Sequence, residues 1–533
     1  MMTMNMKKSF LHIGLVAALL TGCTDKFDEI NSDPVRVTAD LYDPNYLLSK
    51  AQFQYANTGY SQLLFQSMWP QILSSTFNYY SNGDKYVGSS NLISYQNRIW
   101  EEDYQAASFA YEMGNLAQSK GLTNLYSMSV IMKVLIMQHI TDCYGDVPYS
   151  EALKAKEGMT QPTYDTQESI YKSMLSELET AINALDASQP TATADLFYKG
   201  DIAQWRKFGY SLMLRTAMRL TKADPATAQS YAEKAAAGGT FTSIADNAFV
   251  RADNTSGNAN NTSNALLVTD DFREVKWSNT LINYLRVNND PRLTIIGEIP
   301  QDGLAANNDA ALAGNRDSSV QLGMPNGYDL RGGATDISNA PGYPGGTGAG
   351  ADFAAIGKYS RPTTAVYRDV NGPNFVLTYA ETELLLAEAA VRGWNVGGTA
   401  AGHYANGVAA ALQSLATFNA SVATISASTA TLYAATHPLN ITSTEAALKQ
   451  INEQYWATTG TLFNFIETWT NWRRSGYPVL TPVNYTGNFS NGTIPRRIPY
   501  HSNENANNPA GYQDAVSRLG ADNFTSRMWW DQQ

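Results

Sequence analysis

Apolar residues recur every three to four positions over two long parts of the chain. In the first part, after a predicted helix at 43–66, this spacing predicts helices at about 103–120, 125–139, 165–185 and 203–220, and a shorter one that ends near residue 238. In the second part, it predicts helices at about 377–392, 400–418, 442–460 and 462–472. The segment 125–139 is apolar almost all round, so we expect it to be a central helix. The longer segments follow one another as four helix pairs.

Between these two parts, from about 240 to 376, the helical spacing fades. Residues 253–265 and 339–350 are rich in Asn, Ser, Gly and Pro, which is typical of loops. Between them, the segment 272–299 has a clearer pattern, which predicts a helix up to residue 287 and then a strand or loop. We therefore predict a mostly α fold, a tetratricopeptide-like α-solenoid of about four helix pairs with a large loop-rich irregular lobe. The sequence lacks a clean repeat of about 34 residues, so the spacing alone supports only a mostly helical chain.

A short apolar run stands near the start of the chain. Lys7 and Lys8 precede the apolar residues 10–20, which is typical of a signal peptide and is too short for a bilayer, since a spanning helix needs about 20 residues. The run ends in L-T-G-C at 20–23, which resembles the lipobox of bacterial lipoproteins. That resemblance implies a signal peptide at 1–22 and an acylated, palmitate-bearing Cys23 that tethers the mature chain to a membrane. The alternative is an ordinary secreted protein with a chance cysteine after its leader.

Composition narrows the class of ligand. The formal net charge is −11, which makes the chain a poor partner for nucleic acid. Charged residues make up 16% of the chain, whereas it contains 31 Tyr and 10 Trp. A weakly charged surface with many amphipathic aromatic side chains suits uncharged, hydroxyl-rich ligands. If Cys23 is acylated, the only other cysteine is Cys143, which lies among apolar residues and is predicted to be a small buried side chain.

The sequence carries no legible catalytic or metal-binding motif. The histidines after the leader are more than ten residues apart, and H-E-x-x-H, C-x₂-C and G-x-S-x-G are all absent. His139 shares its helix face with apolar residues, which favours a structural histidine. We predict no metal, no cofactor and no enzymatic activity. A surface glycoside hydrolase stays the weaker alternative, because no particular pair of carboxylates stands out among 48 acidic residues.

Several stretches follow one another in a recognisable order. They are T-D-C-Y-G-D-V-P-Y-S-E-A at 141–152, W-R-K-F-G-Y-S-L-M-L-R-T-A-M-R-L at 205–220, N-D-P-R-L at 289–293, Y-A-E-T-E-L-L-L-A-E-A at 379–389 and W-R-R-S-G-Y-P at 472–478. Together with the lipobox, this ordered set resembles the SusD/RagB family of outer-membrane nutrient-binding lipoproteins. The resemblance implies one nutrient-binding domain at 23–533, with helix pairs at about 103–238 and 377–472 and an irregular insert at about 240–376.

The resemblance also implies a function. It implies a lipid-anchored protein of the outer membrane, facing the cell exterior, that binds glycan and delivers it to a SusC-like TonB-dependent transporter. The alternatives are the same role with peptides as ligand, a surface hydrolase, and a purely structural tetratricopeptide protein. Most residues in the matching stretches favour a structural role; we expect turns or buried charge pairs at Gly145, Asp146, Arg215, Arg219, Glu381, Glu383 and Glu388.

Two stretches have the composition of a sugar site. Sugar rings bury their C–H faces against aromatic rings, while their hydroxyls need polar partners. Aromatic and polar residues meet at turns in 69–100 and in 326–331. We predict a stacking platform closed by the second stretch, with ligand-binding residues Asn78, Tyr79, Tyr80, Tyr328, Asp329 and Arg331. The alternative is that the large aromatic residues of the first stretch, Trp69, Phe77 and Trp100, belong to the core.

Overall fold

Helices form most of the regular structure in the computed structural model, which describes residues 42–300, 313–345 and 356–532. The leader, Cys23 and its linker lie outside these residues. From Asn45 onwards the chain forms one compact unit. The longer helices are α1 (Asn45–Ala56), α2 (Leu92–Ser119), α3 (Thr123–Tyr144), α4 (Gln167–Ala184), α5 (Ile202–Arg219), α6 (Pro225–Gly238), α7 (Asn279–Val287), α8 (Tyr379–Val391), α9 (Ala400–Ser414), α10 (Ala427–Thr436), α11 (Thr444–Thr461), α12 (Phe465–Ser475) and α13 (Pro509–Leu519).

Shorter elements fill the regions between these helices. The short α-helices are Tyr60–Leu63, Ser81–Asp84, Asn261–Ala265, Thr269–Glu274, Leu293–Ile296, Thr364–Tyr367, Ala420–Ala423 and Glu504–Asn507. The 3₁₀ turns are Asn78–Tyr80, Ala155–Glu157, Ile244–Asp246, Asn254–Ser256, Ile337–Asn339, Ile356–Lys358 and Leu415–Thr417. The strands are β1 (Leu73–Ser75), β2 (Ala248–Arg251), β3 (Val275–Trp277), β4 (Gly297–Glu298), β5 (Arg361–Pro362) and β6 (Pro373–Leu377), paired antiparallel as β1–β3, β2–β6 and β4–β5.

The four predicted helix pairs are confirmed. Helix α2 packs on α3, α4 on α5, α8 on α9 and α11 on α12. Short connections join α2 to α3 and α11 to α12, and neighbouring pairs stack because α3 also packs on α4 and α8 on α11. Almost every residue of α3 is buried, which confirms that it is the central helix. The two helical parts meet where α5 contacts α8 and where β2 pairs with β6.

Buried charge pairs join helices across this junction and within the second helical part, as predicted for the framework residues. Arg219 on α5 donates to Glu467 on α12 and lies 3.4 Å from Asp142 on α3. Arg474 on α12 forms two 2.7 Å hydrogen bonds with the carboxylate of Glu388 on α8. Bidentate arginine–carboxylate pairs of this kind fix the relative position of the two helices as well as joining them.

The other polar residues predicted to be structural also have internal partners. His139 Nδ1 lies 2.6 Å from Asp103 Oδ2, and Glu383 lies 2.8 Å from His403 Nδ1. Arg215 donates to the carbonyl of Val376 at 3.0 Å. Cys143 is fully buried, which confirms its reading as a small apolar side chain.

The structure corrects several element boundaries. The helix predicted from residue 272 to residue 287 is interrupted by β3, whose backbone pairs with β1. Helix α7 begins after β3, at Asn279, and the side chain of Ser278 caps it. The helix predicted at 43–66 breaks at Gly59, which adopts a φ of 54°. Helix α11, predicted to begin at about residue 442, begins at Thr444 behind Ser443, whose side chain accepts from Ala446 N. Helices α10 and α13 were not predicted.

Candidate functional site

The first predicted site stretch directly follows β1. Asn78–Tyr80 forms a 3₁₀ turn that runs into the short helix Ser81–Asp84. Within this turn Asn78 is exposed, Tyr79 is half-buried and Tyr80 is buried. The larger aromatic residues Trp69 and Trp100 are buried in the core, as the alternative interpretation expected. Of the three residues of the turn, only Asn78 and part of Tyr79 are therefore accessible from outside.

Tyr80, which we predicted to be part of the stacking platform, is buried in the structure. Its exposed fraction is 0%, and its hydroxyl donates to Asp271 Oδ1 at 2.6 Å. Burial, together with the charge of Asp271, raises the pKa of this hydroxyl well above its ordinary value, so it stays a donor. Burial also raises the pKa of Asp271, although the hydrogen bonds from Tyr80 and Tyr60 act in the opposite direction. Tyr80 thus anchors the turn from below and leaves no face for a sugar ring.

Tyr79 belongs to a half-buried group of rings that we call the aromatic cluster, made of Tyr60, Phe77, Tyr79 and Tyr95. The ring of Tyr79 lies 5.6 Å from that of Tyr60 in an edge-to-face arrangement and 6.0 Å from that of Phe77, nearly parallel to it. The hydroxyls of Tyr79 and Tyr95 are 3.2 Å apart. These contacts fix the orientation of Tyr79, so that a ligand would meet a rigid ring.

Tyr328 lines a cleft of about 540 Å³ in the irregular lobe. Its ring also packs against a small core that contains Met324, Ile337 and Tyr359, which leaves it half-buried. The cleft falls within the range of small-molecule sites, which is about 300–1,000 Å³. Its lining residues are Gln71, Asn279, Thr280, Pro325, Asn326, Gly327, Tyr328, Ala334, Thr335, Pro341, Val479, Leu480, Thr481, Pro482, Val483 and Asn484.

The remaining two predicted residues have other surroundings. Asp329 is 4% exposed and accepts hydrogen bonds from the hydroxyls of Tyr485 and Thr335 and from the Arg331 amide. Its carboxylate therefore closes its own loop and is not available to a ligand, which corrects the prediction. Arg331 is exposed and is not among the residues that line the cleft.

A residue that the sequence did not point to, Asp84, joins the two stretches. Its buried carboxylate accepts from Asn326 Nδ2 at 2.8 Å and from the Gly327 amide at 2.9 Å. It also accepts from the Ser75 amide at 3.2 Å and lies 3.1 Å from Lys85 Nζ. Asp84 ends the short helix that follows Tyr79, while Gly327 immediately precedes Tyr328. The turn with the aromatic cluster and the loop that lines the cleft are therefore held on one carboxylate.

Several contributors to these surfaces escaped the sequence interpretation. Tyr60 begins the short helix Tyr60–Leu63 that follows α1, and Tyr95 lies in the first turn of α2. The segment 479–484 forms one wall of the cleft, although its composition only indicated a proline-containing tail. A sequence signal was present there, because the apolar residues Val479 and Leu480 stand between Pro478 and Pro482. In the structure Val479 is 81% exposed.

Comparison with known proteins assigns the family. A SusD-like family model, described as starch-binding and associating with the outer membrane, matches residues 36–501. The chain belongs to the SusD-like family. This confirms the resemblance seen in the sequence, and a carbohydrate-binding role in association with the outer membrane is the character of that family. Comparison with curated proteins gave no match.

Solved structures of SusD-like proteins share the fold over almost the whole chain. A chitin-binding protein is 29% identical with a TM-score of 0.78, and the match covers 92% of this chain and 100% of that one. A SusD-like protein from Bacteroidetes is 26% identical with a TM-score of 0.78 and the same coverage. A chitin-binding SusD homologue from Flavobacterium johnsoniae is 24% identical with a TM-score of 0.71, covering 91% and 99% of the two chains, and shows the fold alone.

Within residues 42–300, 313–345 and 356–532, no group of three or more His, Cys, Asp or Glu side chains is placed to hold a metal ion. Among the helices in those same ranges, none combines the length and the apolar character needed to cross a bilayer.

Proposed function

We propose that this SusD-like protein binds glycan at the cell surface and passes it to a SusC-like TonB-dependent transporter. The observation that carries the glycan part is the cleft of about 540 Å³, lined by Tyr328 together with amide and hydroxyl side chains. An aromatic ring offers a face to the C–H surface of a sugar, while Asn, Gln and Thr satisfy its hydroxyls. The 29%-identical chitin-binding protein supports the same ligand class.

The aromatic cluster supplies a second contact surface for the same ligand. Asn78 and Tyr79 stand one short helix away from Asp84, which also holds the cleft loop. Gln71 lines the cleft just before β1, and Phe77 belongs to the cluster just after it. Six residues of extended chain span at most about 20 Å, so a glycan of several sugar units reaches both surfaces. In this proposal Tyr79 and Tyr328 are the stacking residues.

The protein is proposed to bind its ligand without cleaving it and to do so from a lipid anchor at Cys23. The 29%-identical relative is a chitin-binding protein, which supports binding as the activity. The lipobox supports the anchor, and the acidic residues Asp25, Asp28 and Glu29 that follow it support export to the outer face of the outer membrane. Incubation with oligosaccharide followed by product analysis tests the first point: released shorter sugars would contradict it.

Calorimetry on the soluble protein without its leader and Cys23 tests glycan binding. We expect chitohexaose or maltohexaose to bind, and Tyr328→Ala and Tyr79→Ala each to lower the affinity, since removal of a central aromatic anchor costs about 2 kcal/mol, or roughly thirtyfold. Tyr328→Phe keeps the ring and should bind nearly as wild type. Tyr126→Ala, at a 40% exposed tyrosine on α3, is the matched control.

The outcomes separate the two surfaces. Wild-type affinity in Tyr328→Ala, with an unchanged melting temperature, would move the site away from the cleft. Wild-type affinity in Tyr79→Ala would confine it to the cleft. Binding of a short unstructured peptide, with no heat from any oligosaccharide, would favour the peptide alternative.

A further inference from the structure

The lining of the cleft has an unusual charge content. In a chain with 16% charged residues, all sixteen described residues that line the cleft are uncharged. Their polar groups are the amides of Gln71, Asn279, Asn326 and Asn484 and the hydroxyls of Thr280, Thr335, Thr481 and Tyr328. These groups donate and accept hydrogen bonds without carrying a charge.

Two carboxylates next to this lining, those of Asp84 and Asp329, are engaged within the protein, and the exposed Arg331 lies outside the lining. Asp84 lies directly beneath Asn326 and Gly327 and is balanced by Lys85, whose ammonium also donates to the Ser75 carbonyl at 2.7 Å. Asp329 is engaged by Tyr485 and Thr335. The charged groups beneath the cleft are therefore the ion pair of Asp84 with Lys85 and the hydrogen-bonded carboxylate of Asp329. The ammonium of Lys85 points towards Asp84.

An anionic sugar would gain little in such a cleft. A carboxylate or sulfate that enters it gives up water, and strong recognition of these groups in proteins relies on arginine or lysine partners. The lining offers neutral donors only, and the ammonium of Lys85 beneath them is already paired with Asp84. Neutral hydroxyl and N-acetyl groups, in contrast, exchange hydrogen bonds with water for similar ones with amides and threonines.

We propose, on the basis of the function proposed above, that the cleft selects uncharged polysaccharides and discriminates against uronic-acid and sulfated ones. The selection arises from the absence of a cation in the described lining, and Asn484 is the position at which it can be reversed. Asn484 is exposed at the wall of the cleft that the segment 479–484 forms, so a lysine there places an ammonium at the ligand without removing a buried contact.

Calorimetry at physiological salt with chitohexaose, maltohexaose and hexagalacturonate tests the proposal. We expect at least one neutral probe to bind in a Tyr328-dependent manner, and hexagalacturonate to bind at least about tenfold more weakly, as expected when an anion lacks its charged partner. Asn484→Lys should strengthen hexagalacturonate binding about tenfold and so reduce the difference in affinity between hexagalacturonate and the neutral probe. Asn115→Lys, at an exposed position of α2, makes the same change in net charge and should alter neither.

Each result points to a different conclusion. Hexagalacturonate that binds wild type as tightly as the best neutral probe, with loss of binding in Tyr328→Ala, overturns the selectivity and leaves glycan binding intact. An equal gain from Asn484→Lys and Asn115→Lys also overturns it, because the effect would then come from net charge alone. Absence of binding for every probe contradicts the proposed glycan function itself.

Discussion

Replacement of Asp84 by Asn tests whether one buried carboxylate organises the candidate site. Asp84 is fully buried, and its two oxygens face the Ser74 hydroxyl, the amides of Ser75 and Gly327, Asn326 Nδ2 and the ammonium of Lys85. An Asn side chain has one oxygen, so in either orientation its NH₂ group meets two or more of these donors. It also leaves the 2% exposed Lys85 without a carboxylate. Breaking a buried pair in this way costs about 3–5 kcal/mol.

Urea unfolding gives the free-energy change, and calorimetry with the best oligosaccharide gives the affinity. We expect Asp84→Asn to lose about 3–5 kcal/mol and, under conditions where it stays folded, to bind glycan more weakly, although Asp84 does not itself line the cleft. In the double variant Asp84→Asn with Lys85→Met, the uncompensated cation is gone, so at least about 1 kcal/mol should return.

Asp336→Asn is the matched control. Asp336 is 3% exposed and accepts from the Gly332 and Ser338 amides at 2.9 and 3.0 Å, and its described contacts include no cation. Its loss should cost only about 1–2 kcal/mol. A loss below about 1 kcal/mol in Asp84→Asn, or a double variant no more stable than the single one, would refute the assignment of Asp84 as the organising residue.

Two further predictions concern the framework and the anchor. Burial alone would raise the pKa of Glu388, but Arg474 and Arg392 outweigh it and hold this pKa well below its ordinary value of 4.5, so its stabilising effect is present above that value and fades as the pH falls below it. Glu388→Gln should therefore lower the free energy of unfolding in urea by about 3–5 kcal/mol at pH 7 and by less at pH 4. The control Glu168→Gln, in an exposed ion pair, should cost less than about 1 kcal/mol. An equal cost of Glu388→Gln at both pH values would contradict this reasoning. Cys23→Ala should move the protein out of the membrane fraction and abolish its co-purification with a large β-barrel transporter from mild detergent extracts; a variant that stays in the membrane fraction contradicts the anchor.

The sequence was informative about the helices because their packing is local. Contacts between a helix and its pair partner depend on residues three and four apart, which is the spacing that a sequence displays. The central helix α3 is the clearest case, since its apolar character all round predicted its burial. Helix α10, A-S-T-A-T-L-Y-A-A-T, was missed because alanine and threonine give little contrast between its faces. Helix α13 was missed although Asn508 and Pro509 are a cap and a first helical residue, because the surrounding tail is rich in loop-forming residues.

The site was harder to predict from the sequence, because the burial of each of its residues depends on contacts with residues far away in the chain. Tyr79 and Tyr80 are neighbours in N-Y-Y-S, and their sequence surroundings are the same. Tyr80 is buried because its hydroxyl meets Asp271, which comes 191 residues later in the chain. Asp329 is engaged because Tyr485, 156 residues later, reaches its carboxylate. The composition of the two stretches indicated where a site could lie, while the orientation of each side chain depends on contacts that the stretches do not contain.

The candidate site contains two kinds of residue: buried ones that hold the loops in place and exposed ones that line the cleft. Asp84, Tyr80 and Asp329 face inwards and hold the loops, so substitutions there disturb the geometry of the cleft as a whole. Tyr328, Asn279 and Asn484 line the cleft from loops or the first residue of a helix, and the two asparagines are exposed. Changes at the exposed positions alter charge and hydrogen bonding at little cost in stability, because surface substitutions rarely exceed about 0.5 kcal/mol. Ligand preference can therefore change through such positions while the helix pairs and the buried carboxylates stay constant.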